Sequence, residues 1–338
     1  MTDPIGTGLL RHQLGRRRFM AALAGGLLAV PFRAEAQPAG KVYRIGLLSP
    51  TSQGLGIEGF REGLLALGYV EGRNIVVVHR SAEERFDRLP ELATELVRLR
   101  VDVIVAVVTQ ASLAAKNATN TIPIVMLAVG DPVGAGLVAS LARPGGNVTG
   151  TSVLAVEIAG KSLELLRNVA PNSHRVAVLW NSANPVFQAL MVKETEAAAR
   201  WLGIQLRRFT ARDAKEIEPA FEAMTKERIE ALTVLVDPVF ITHRAQITAL
   251  AIKGHLPSMS AFRDYAEAGG LMAYSADFAA LGIRTATYVD KILKGARPGD
   301  LPVEQPTKFE LVINLKTAKA LNLTIPQSVL YRADKVIR

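Results

Sequence analysis

The strongest constraint on the fold is an alternation of short apolar runs with segments of helical period, which begins at Val42. The apolar runs predict strands over 42–49, 74–80, 101–108, 122–129, 175–181, 204–209, 231–236 and 256–260. The periodic segments predict helices over 56–67, 88–99, 111–117, 157–169, 186–202, 216–228, 243–253 and 281–294. Strands that are apolar along their whole length are typical of a parallel sheet covered on both faces. The pattern therefore predicts an α/β protein with doubly wound sheets.

The pattern breaks once, at 142–150, where the sequence ARPGGNVTG is rich in glycine and proline. A chain of 338 residues has room for two domains, so we expect two consecutive α/β units. The proline-rich segment 294–315 is too extended for a helix and is expected to carry the chain between the units again. Three crossings in total would make a hinge that closes over a ligand.

The N-terminus is expected to be an export signal. Residues 1–36 hold five arginines against two acidic residues, which gives +3 of the net charge of +9. Phe19–Val30 is a run of twelve residues without a charge, whereas about 20 are needed to span a bilayer. Ala34-Glu35-Ala36 then provides an A-x-A cleavage site. The order of these segments favours a signal peptide over 1–36 rather than an amphipathic helix or a membrane anchor.

The export route stays open between two pathways. Arg16-Arg17-Arg18-Phe19-Met20 is similar to a twin-arginine signal, although Gly15 stands where Ser or Thr is usual. The general secretory pathway fits the same segment. By either route we expect a periplasmic protein that begins near Gln37 after cleavage.

Charge and cysteine content exclude several classes of site. The positive charge outside the first 36 residues is dispersed beside acidic residues and is not interleaved with aromatic residues, so a nucleic-acid partner is not expected. The chain has no cysteine, which rules out disulfides, thiolate zinc sites and a thiol nucleophile.

Gly54-Leu55-Gly56-Ile57-Glu58-Gly59 matches the G-x-G-x-x-G fingerprint of dinucleotide-binding folds. In those folds the first glycine follows the strand directly and the next strand ends in an acidic residue. Here four residues intervene, and the second strand ends in His79-Arg80. The glycines are better explained by a flexible loop before a helix. A nucleotide-dependent oxidoreductase exported by the twin-arginine route remains the alternative from another functional class.

Other catalytic signatures are missing from the sequence. It has no G-x-S-x-G elbow, and its five histidines lack the spacing of metal ligands. The sequence therefore offers no serine-hydrolase elbow and no histidine metal site, and we expect no metal or cofactor.

Polar residues recur where the predicted strands end, which is where open α/β sheets bind their ligands. These candidates are Ser49, Thr109, Gln110, Asp131, Asn181, Asp237 and Tyr274. Helix capping explains many such residues equally well, and Asp131-Pro132 is also consistent with a simple turn. Asp237 is the clearest candidate because it follows a largely apolar predicted strand and precedes a proline.

Three phrases carry a family resemblance: 122–150, 267–275 and the long C-terminal stretch 288–337. They resemble the ABC-transporter substrate-binding family that includes the tryptophan-binding TrpX-type proteins, over about 42–337. The resemblance implies a type I periplasmic-binding fold with two Rossmann-like lobes joined by three hinge strands. The first lobe would comprise 41–150 and about 277–304, and the second 151–276 and about 305–338.

The resemblance also implies roles for the candidate residues. Ser49, Thr109 and Asp131 would line the first lobe, and Asn181, Asp237 and Tyr274 the second. A ligand carboxylate would meet the helix starts after Ser49 and Thr109. Asp237 would take a ligand ammonium, and Tyr274 would stack on an apolar side chain, with Trp180 either beside it or in the core.

The implied function is the solute-binding component of an ABC importer, a binding protein rather than an enzyme, and we expect a monomer. It would trap an amino acid or small aromatic carboxylate and deliver it to a permease and its ATPase. Pro238 departs from the tryptophan-type members, which tend to carry Asn there, and this leaves the ligand's identity open. A LacI-like regulator would share the lobes but needs a helix-turn-helix where the export signal stands.

Overall fold

The computed structural model describes residues 41–338, of which Val42–Arg338 form one compact unit. The predicted export signal, with its apolar run and its A-x-A site, lies outside the described residues. Within the described residues, no helix is both long enough and apolar enough to cross a membrane.

The first sheet has five parallel strands in the order β2-β1-β3-β4-β5. They are β1 (Tyr43–Ser49), β2 (Ile75–Ser81), β3 (Val103–Val107), β4 (Ile124–Val129) and β5 (Val148–Ser152). Neighbouring residues of β1 supply opposite faces, since Leu47 packs with Phe60 while Leu48 packs with Leu92 and Leu96. Burial on both faces explains why these strands are so uniformly apolar.

The second sheet has seven strands in the order β12-β11-β10-β9-β8-β6-β7. They are β6 (Arg175–Trp180), β7 (Gln205–Thr210), β8 (Ala231–Val234), β9 (Ser258–Ser260), β10 (Met272–Ala276), β11 (Phe309–Asn314) and β12 (Lys335–Ile337). The sheet is parallel except where β10 pairs antiparallel with β11. The structure therefore has the two α/β units that the sequence pattern predicts.

Twelve α-helices connect these strands in the described part of the chain. They are α1 (Ile57–Ala66), α2 (Leu89–Arg98), α3 (Val108–Ala118), α4 (Ala155–Val169), α5 (Pro185–Leu202), α6 (Ala214–Lys226), α7 (Pro238–Thr242), α8 (Arg244–Lys253), α9 (Asp264–Glu267), α10 (Phe278–Leu293), α11 (Leu315–Ala320) and α12 (Gln327–Leu330). Short 3₁₀ turns occupy Phe86–Arg88 and Pro298–Asp300.

The chain passes three times between the two units, which we call the first and second lobe after the sheet that each contains. It leaves β5 for α4, it leaves β10 for α10, and it returns through 301–308 to β11. Helix α10 follows the second sheet in sequence but packs on α1 and on β4 of the first sheet. Two of these connections are joined by backbone hydrogen bonds, since Glu304 N donates to Gly150 O at 3.0 Å and Ser152 N donates to Glu304 O at 2.9 Å.

Glycines of the G-x-G-x-x-G segment lie in the contact between α1 and α10. A Cβ on Gly59 would lie 2.2 Å from the carbonyl oxygen of Ala279, and one on Gly282 would lie 2.1 Å from that of Gly56. The two helices lie so close together that residues 59 and 282 have no room for a side chain larger than the hydrogen atom of glycine. The expectation of a merely flexible loop is thus incomplete, because Gly59 and Gly282 are required for helix packing.

Strand β5 was not predicted, and it lies partly inside the segment 142–150 that marks the break in the pattern. Its sequence, VTGTS, has no apolar run, yet all five residues are buried. The threonine hydroxyls find partners in other elements, since Thr149 donates to Leu301 O at 2.6 Å and Thr151 Oγ1 lies 3.3 Å from Thr285 Oγ1 of α10. Hydrogen bonds rather than apolar side chains make this strand compatible with the core.

Candidate functional site

A small cavity lies between the two lobes at the carboxyl ends of β3, β4 and β8. It measures about 20 Å³. Its walls are mostly apolar, and they contain no Lys, Arg or His among the residues that the structure describes. The lining residues are Leu55, Val108, Thr109, Gln110, Ala128, Val153, Asn184, Phe187, Val236, Asp237, Pro238 and Phe278.

Asp237 is the charged group of this cavity. It is 1% exposed and caps α7, where its Oδ1 accepts from Val239 N at 3.0 Å. Asn181 Nδ2 donates to the same oxygen at 2.9 Å, and Asn184 Nδ2 donates to Oδ2 at 3.0 Å. Burial raises the pKa of the Asp237 carboxyl, and the three hydrogen bonds oppose that rise only in part. No cation neutralises this carboxylate within the cavity lining described above, so a ligand cation is a favourable partner for it.

Asn184 joins the two lobes across the cavity. While its Nδ2 donates to Asp237, its Oδ1 accepts a hydrogen bond from Gln110 Nε2 of the first lobe. The side chain lies at the start of α5, before Pro185, and is 2% exposed. The sequence analysis missed Asn184 because it follows the end of β6 by four residues. The N-P dipeptide that begins the helix was the available signal.

Thr109 and Gln110 line the cavity on the side of the first lobe, and both lie in the first turn of α3. Helix α3 begins directly after β3, so its first N–H groups lie beside the cavity without a side-chain cap. Thr109 Oγ1 accepts from Gly130 N at 3.3 Å, which holds the end of β4 against the start of α3. The structure thus brings three predicted residues, Thr109, Gln110 and Asp237, to one cavity.

Three residues of the cavity wall have a backbone conformation that L-amino acids rarely adopt. Leu55, Val108 and Ala128 have φ values of 55°, 63° and 60°. For the β-branched Val108 this conformation is a clear outlier. It turns the chain from β3 into α3 without a loop, which is why α3 begins at Val108 rather than at 111 as predicted. Backbone strain of this kind concentrates at functional sites.

Ser49 lies at the end of β1 but does not line this cavity. Its Oγ donates to Thr51 O at 2.6 Å, so it accepts from His79 Nε2, 2.7 Å away. Burial, followed by the charge of Arg61, lowers the pKa of His79, which favours the neutral ring. Ser49 therefore fixes the loop that carries Thr51.

Asp131 lies in a different place from Asp237. Its Oδ1 accepts from Gly134 N at 2.8 Å, as in the simple turn that the sequence also allowed. It lines a separate cavity of about 300 Å³ with Leu154 and Gln305.

Asn181 and Tyr274 do not line the cavity either. Asn181 is fully buried behind Asp237 and positions its carboxylate. The Tyr274 ring stacks on Phe309 of β11, with centroids 5.8 Å apart. Tyr274 sits in the middle of β10, and the residue that reaches the cavity from beyond the end of that strand is Phe278. Trp180 packs partly buried against the core.

The cavity continues into a wider cleft between the lobes. A cavity of about 360 Å³ shares Leu55 and Phe278 with the small cavity, and a further cavity of about 450 Å³ shares Ile241 and Asp264 with that second one. A hydrogen bond crosses this cleft, between Glu84 after β2 and His243 after α7, with 3.0 Å between Oε2 and Nε2. Direct contacts between the lobes at Gln110–Asn184 and at Glu84–His243 describe a closed arrangement.

Residues 45–337 match the family described as ABC transporter substrate binding protein. The chain belongs to this family. Members bind small ligands for transport and are typically extracytoplasmic. Within residues 41–338, no group of three or more His, Cys, Asp or Glu side chains is placed to hold a metal ion.

Relatives of known ligand or conformation support this assignment. A tyrosine-binding protein of Clostridioides difficile (strain R20291) is 30% identical over 79% of this chain and 76% of its own length. A Streptococcus pneumoniae structure in complex with L-Trp is 29% identical, with a TM-score of 0.80 over 87% of this chain and 99% of that one. A ligand-free, open substrate-binding protein with adhesive properties from Clostridium difficile is 27% identical, with a TM-score of 0.62 over 88% and 99%.

These relatives confirm the predicted type I periplasmic-binding fold with two α/β lobes. They also confirm that the protein is a binding protein rather than an enzyme, so the alternative of a nucleotide-dependent oxidoreductase is wrong. The glycines that suggested it are used in the contact between α1 and α10.

Proposed function

We propose that this protein binds an amino acid with an aromatic side chain between its two lobes and delivers it to an ABC importer. The observation that carries this proposal is the buried carboxylate of Asp237 in an apolar cavity whose described lining has no cation. A ligand ammonium supplies the missing positive charge, and it forms a charge-assisted hydrogen bond to the side of the carboxylate that faces the cavity.

The first lobe offers the complementary site for a ligand carboxylate. The N–H groups of the first turn of α3 and the Thr109 hydroxyl lie next to the cavity, and a helix N-terminus favours negative charge. Ammonium and carboxylate of one amino acid would then contact opposite lobes. A ligand of this kind holds the two lobes together.

The apolar walls favour an aromatic side chain. Phe187 and Phe278 contribute rings from the two sides of the cavity, together with Leu55 and Val153. Pro238 offers only an apolar surface here, so side-chain amides reach the ligand from Gln110 and Asn184 instead. The tyrosine-binding relative and the relative in complex with L-Trp support the same ligand class.

The size of the cavity implies that the lobes separate for binding. Small-ligand sites measure about 300–1,000 Å³, far more than the 20 Å³ beside Asp237, whereas the adjoining cavities of about 360 and 450 Å³ fall within that range. Opening at the three connections would admit the ligand. The higher TM-score to the L-Trp complex than to the open relative, at similar identity, supports two such arrangements in this family.

The transport context is part of the same proposal. We infer a periplasmic protein whose signal peptide, 1–36, is cleaved near Ala36, and a monomer that docks on a membrane permease driven by an ATPase. The three connections support lobe boundaries near 277 and 305, and a first boundary after β5, which ends at Ser152, rather than at 150. The family assignment and the sequence order of the N-terminus support the export.

A thermal-shift screen of the purified protein tests the ligand class. The panel contains the twenty amino acids, aromatic carboxylates that lack an ammonium, and nicotinamide dinucleotides. A ligand at 100 times its Kd stabilises a protein by about 2.7 kcal/mol, which is a shift of several degrees at this size. We expect shifts with L-tryptophan or L-tyrosine. A shift only with carboxylates that lack an ammonium would contradict the role of Asp237.

A further inference from the structure

An aromatic ring of the second lobe packs directly on a glycine of the first, in the contact of Phe187 with Gly130. Phe187 lies in the first turn of α5, and Gly130 directly follows β4. An ideal Cβ on Gly130 would lie 1.8 Å from Cε2 of this ring and 2.5 Å from Cδ2 and from Cζ. The ring therefore occupies the volume that any side chain at residue 130 would fill.

Backbone geometry does not explain the glycine at this position. Ten glycines in the described chain have a positive φ, and Gly130 is not one of them. An alanine is compatible with a backbone of this φ, and the three atoms nearest to its Cβ would all belong to Phe187 of the opposing lobe. A side chain at residue 130 would therefore clash with Phe187 only while the lobes are closed.

The same segments shape the ligand cavity. Gly130 N donates to Thr109 Oγ1, and Phe187 lies one turn after Asn184, which contacts both Gln110 and Asp237. The start of α5 thus brings the ring and the bridging amide to the first lobe together. Phe187 itself forms part of the cavity wall.

We propose that Gly130 and Phe187 are a positioning pair, in which the seating of the Phe187 ring on Gly130 permits full closure of the lobes around an aromatic ligand. This inference rests on the proposed function, because it assigns the contact a role in ligand-induced closure. A side chain at 130 either holds the lobes apart or pushes the ring into the cavity. Both outcomes weaken binding without a change in any group that contacts the charged ends of the ligand.

The test is a thermodynamic cycle with Gly130→Ala, Phe187→Leu and the double variant, using L-tryptophan and L-tyrosine as probes. Calorimetry gives the Kd, and small-angle scattering gives the compaction on ligand addition. Overpacking of this size predicts about a tenfold weaker Kd for Gly130→Ala and a loss of compaction. In the Phe187→Leu background, the smaller and more flexible side chain leaves room, so the same Gly130→Ala change has little effect on either readout.

Gly146→Ala is the matched control, since Gly146 is also on the first lobe, has no positive φ, and has open space around an added Cβ. Equal thermal unfolding of the unliganded variants shows that the fold is intact. Wild-type affinity and compaction in Gly130→Ala would overturn the inference, as would an equal loss in both Phe187 backgrounds. If the wild-type protein binds no amino acid, the proposed function itself fails, which is a distinct result.

Discussion

Gln110 on the first lobe donates to the side-chain oxygen of Asn184 on the second, and Asn184 donates in turn to Asp237. This chain of hydrogen bonds couples the approach of the lobes to the group that we assign to the ligand ammonium. All three residues line the cavity. Ligand binding and closure are therefore expected to fail together when the chain is broken.

Asn184→Ala tests that coupling. It leaves Gln110 and one oxygen of Asp237 without a partner in the closed form, at a cost of about 1–3 kcal/mol. We expect a Kd about tenfold or more weaker in calorimetry, with a faster ligand dissociation rate. Asn172→Ala, at an exposed position of the second lobe, is the control. An unchanged dissociation rate in Asn184→Ala would show that the bridge does not hold the closed form.

The affinity is expected to depend on pH through Asp237. Burial raises the pKa of this carboxyl, and an ammonium binds only its ionised form. Affinity should therefore fall as the pH drops from neutral through the raised pKa. The free energy of unfolding of the unliganded protein changes in the opposite direction. Because the pKa of Asp237 is higher in the folded state, the unliganded protein becomes more stable as the pH falls and this carboxyl binds a proton. If the Kd of Asp237→Asn depends on pH as strongly as the wild-type Kd does, a group other than Asp237 is responsible for the pH dependence.

The Glu84–His243 pair should add modestly to closure. Both side chains are 27% exposed, and a partly exposed pair of this kind contributes about 0–1 kcal/mol, of which the ionic part requires a protonated His243. Glu84→Gln is expected to weaken the Kd by a few-fold at low salt, and the difference should shrink as salt is added. Glu62→Gln, at an exposed position of α1, should leave the Kd unchanged. A salt-independent effect of Glu84→Gln would contradict an electrostatic role.

Tyr274→Leu separates packing from ligand contact. The ring stacks on Phe309 between β10 and β11, away from the residues that line the cavity. The substitution should lower the free energy of unfolding by about 1–2 kcal/mol and leave the Kd within about twofold. Chemical denaturation and calorimetry measure the two quantities. A Kd weakened tenfold with stability intact would restore the stacking role implied by the family resemblance.

Most of the fold could be predicted from the sequence because strands that are buried on both faces of a parallel sheet consist largely of apolar residues. The sequence pattern missed the buried β5, whose threonine hydroxyls form hydrogen bonds with other elements, and it gave no bounds for β10. It also missed β11, which lies inside the segment 294–315 expected to be a connection, and the three-residue β12 at the edge of the sheet. Helix α3 begins three residues earlier than predicted because Val108 adopts a positive φ, which no periodicity reveals.

The candidate site was predictable where a side chain directly follows a strand that ends at the cleft. Thr109, Gln110 and Asp237 satisfy this rule and line the cavity, although their ligand contacts stay predictions. Asn184 and Phe187 reach the cavity from a helix start several residues later, so their placement depends on how the second lobe meets the first. Tyr274 lies in the middle of its strand, and its ring stacks on Phe309 of the neighbouring strand β11.

The most direct test of the proposed function is a calorimetric titration of L-tyrosine and L-tryptophan into wild-type protein, Asp237→Asn and Asp131→Asn. The Asp237→Asn substitution keeps the shape of the side chain but offers no charge to an ammonium, whereas Asp131 caps a turn outside the cavity. We expect wild-type and Asp131→Asn to bind with similar Kd, and Asp237→Asn to bind at least about a hundredfold more weakly. Binding that survives Asp237→Asn unchanged would contradict the assignment of the ammonium site, and with it the central claim.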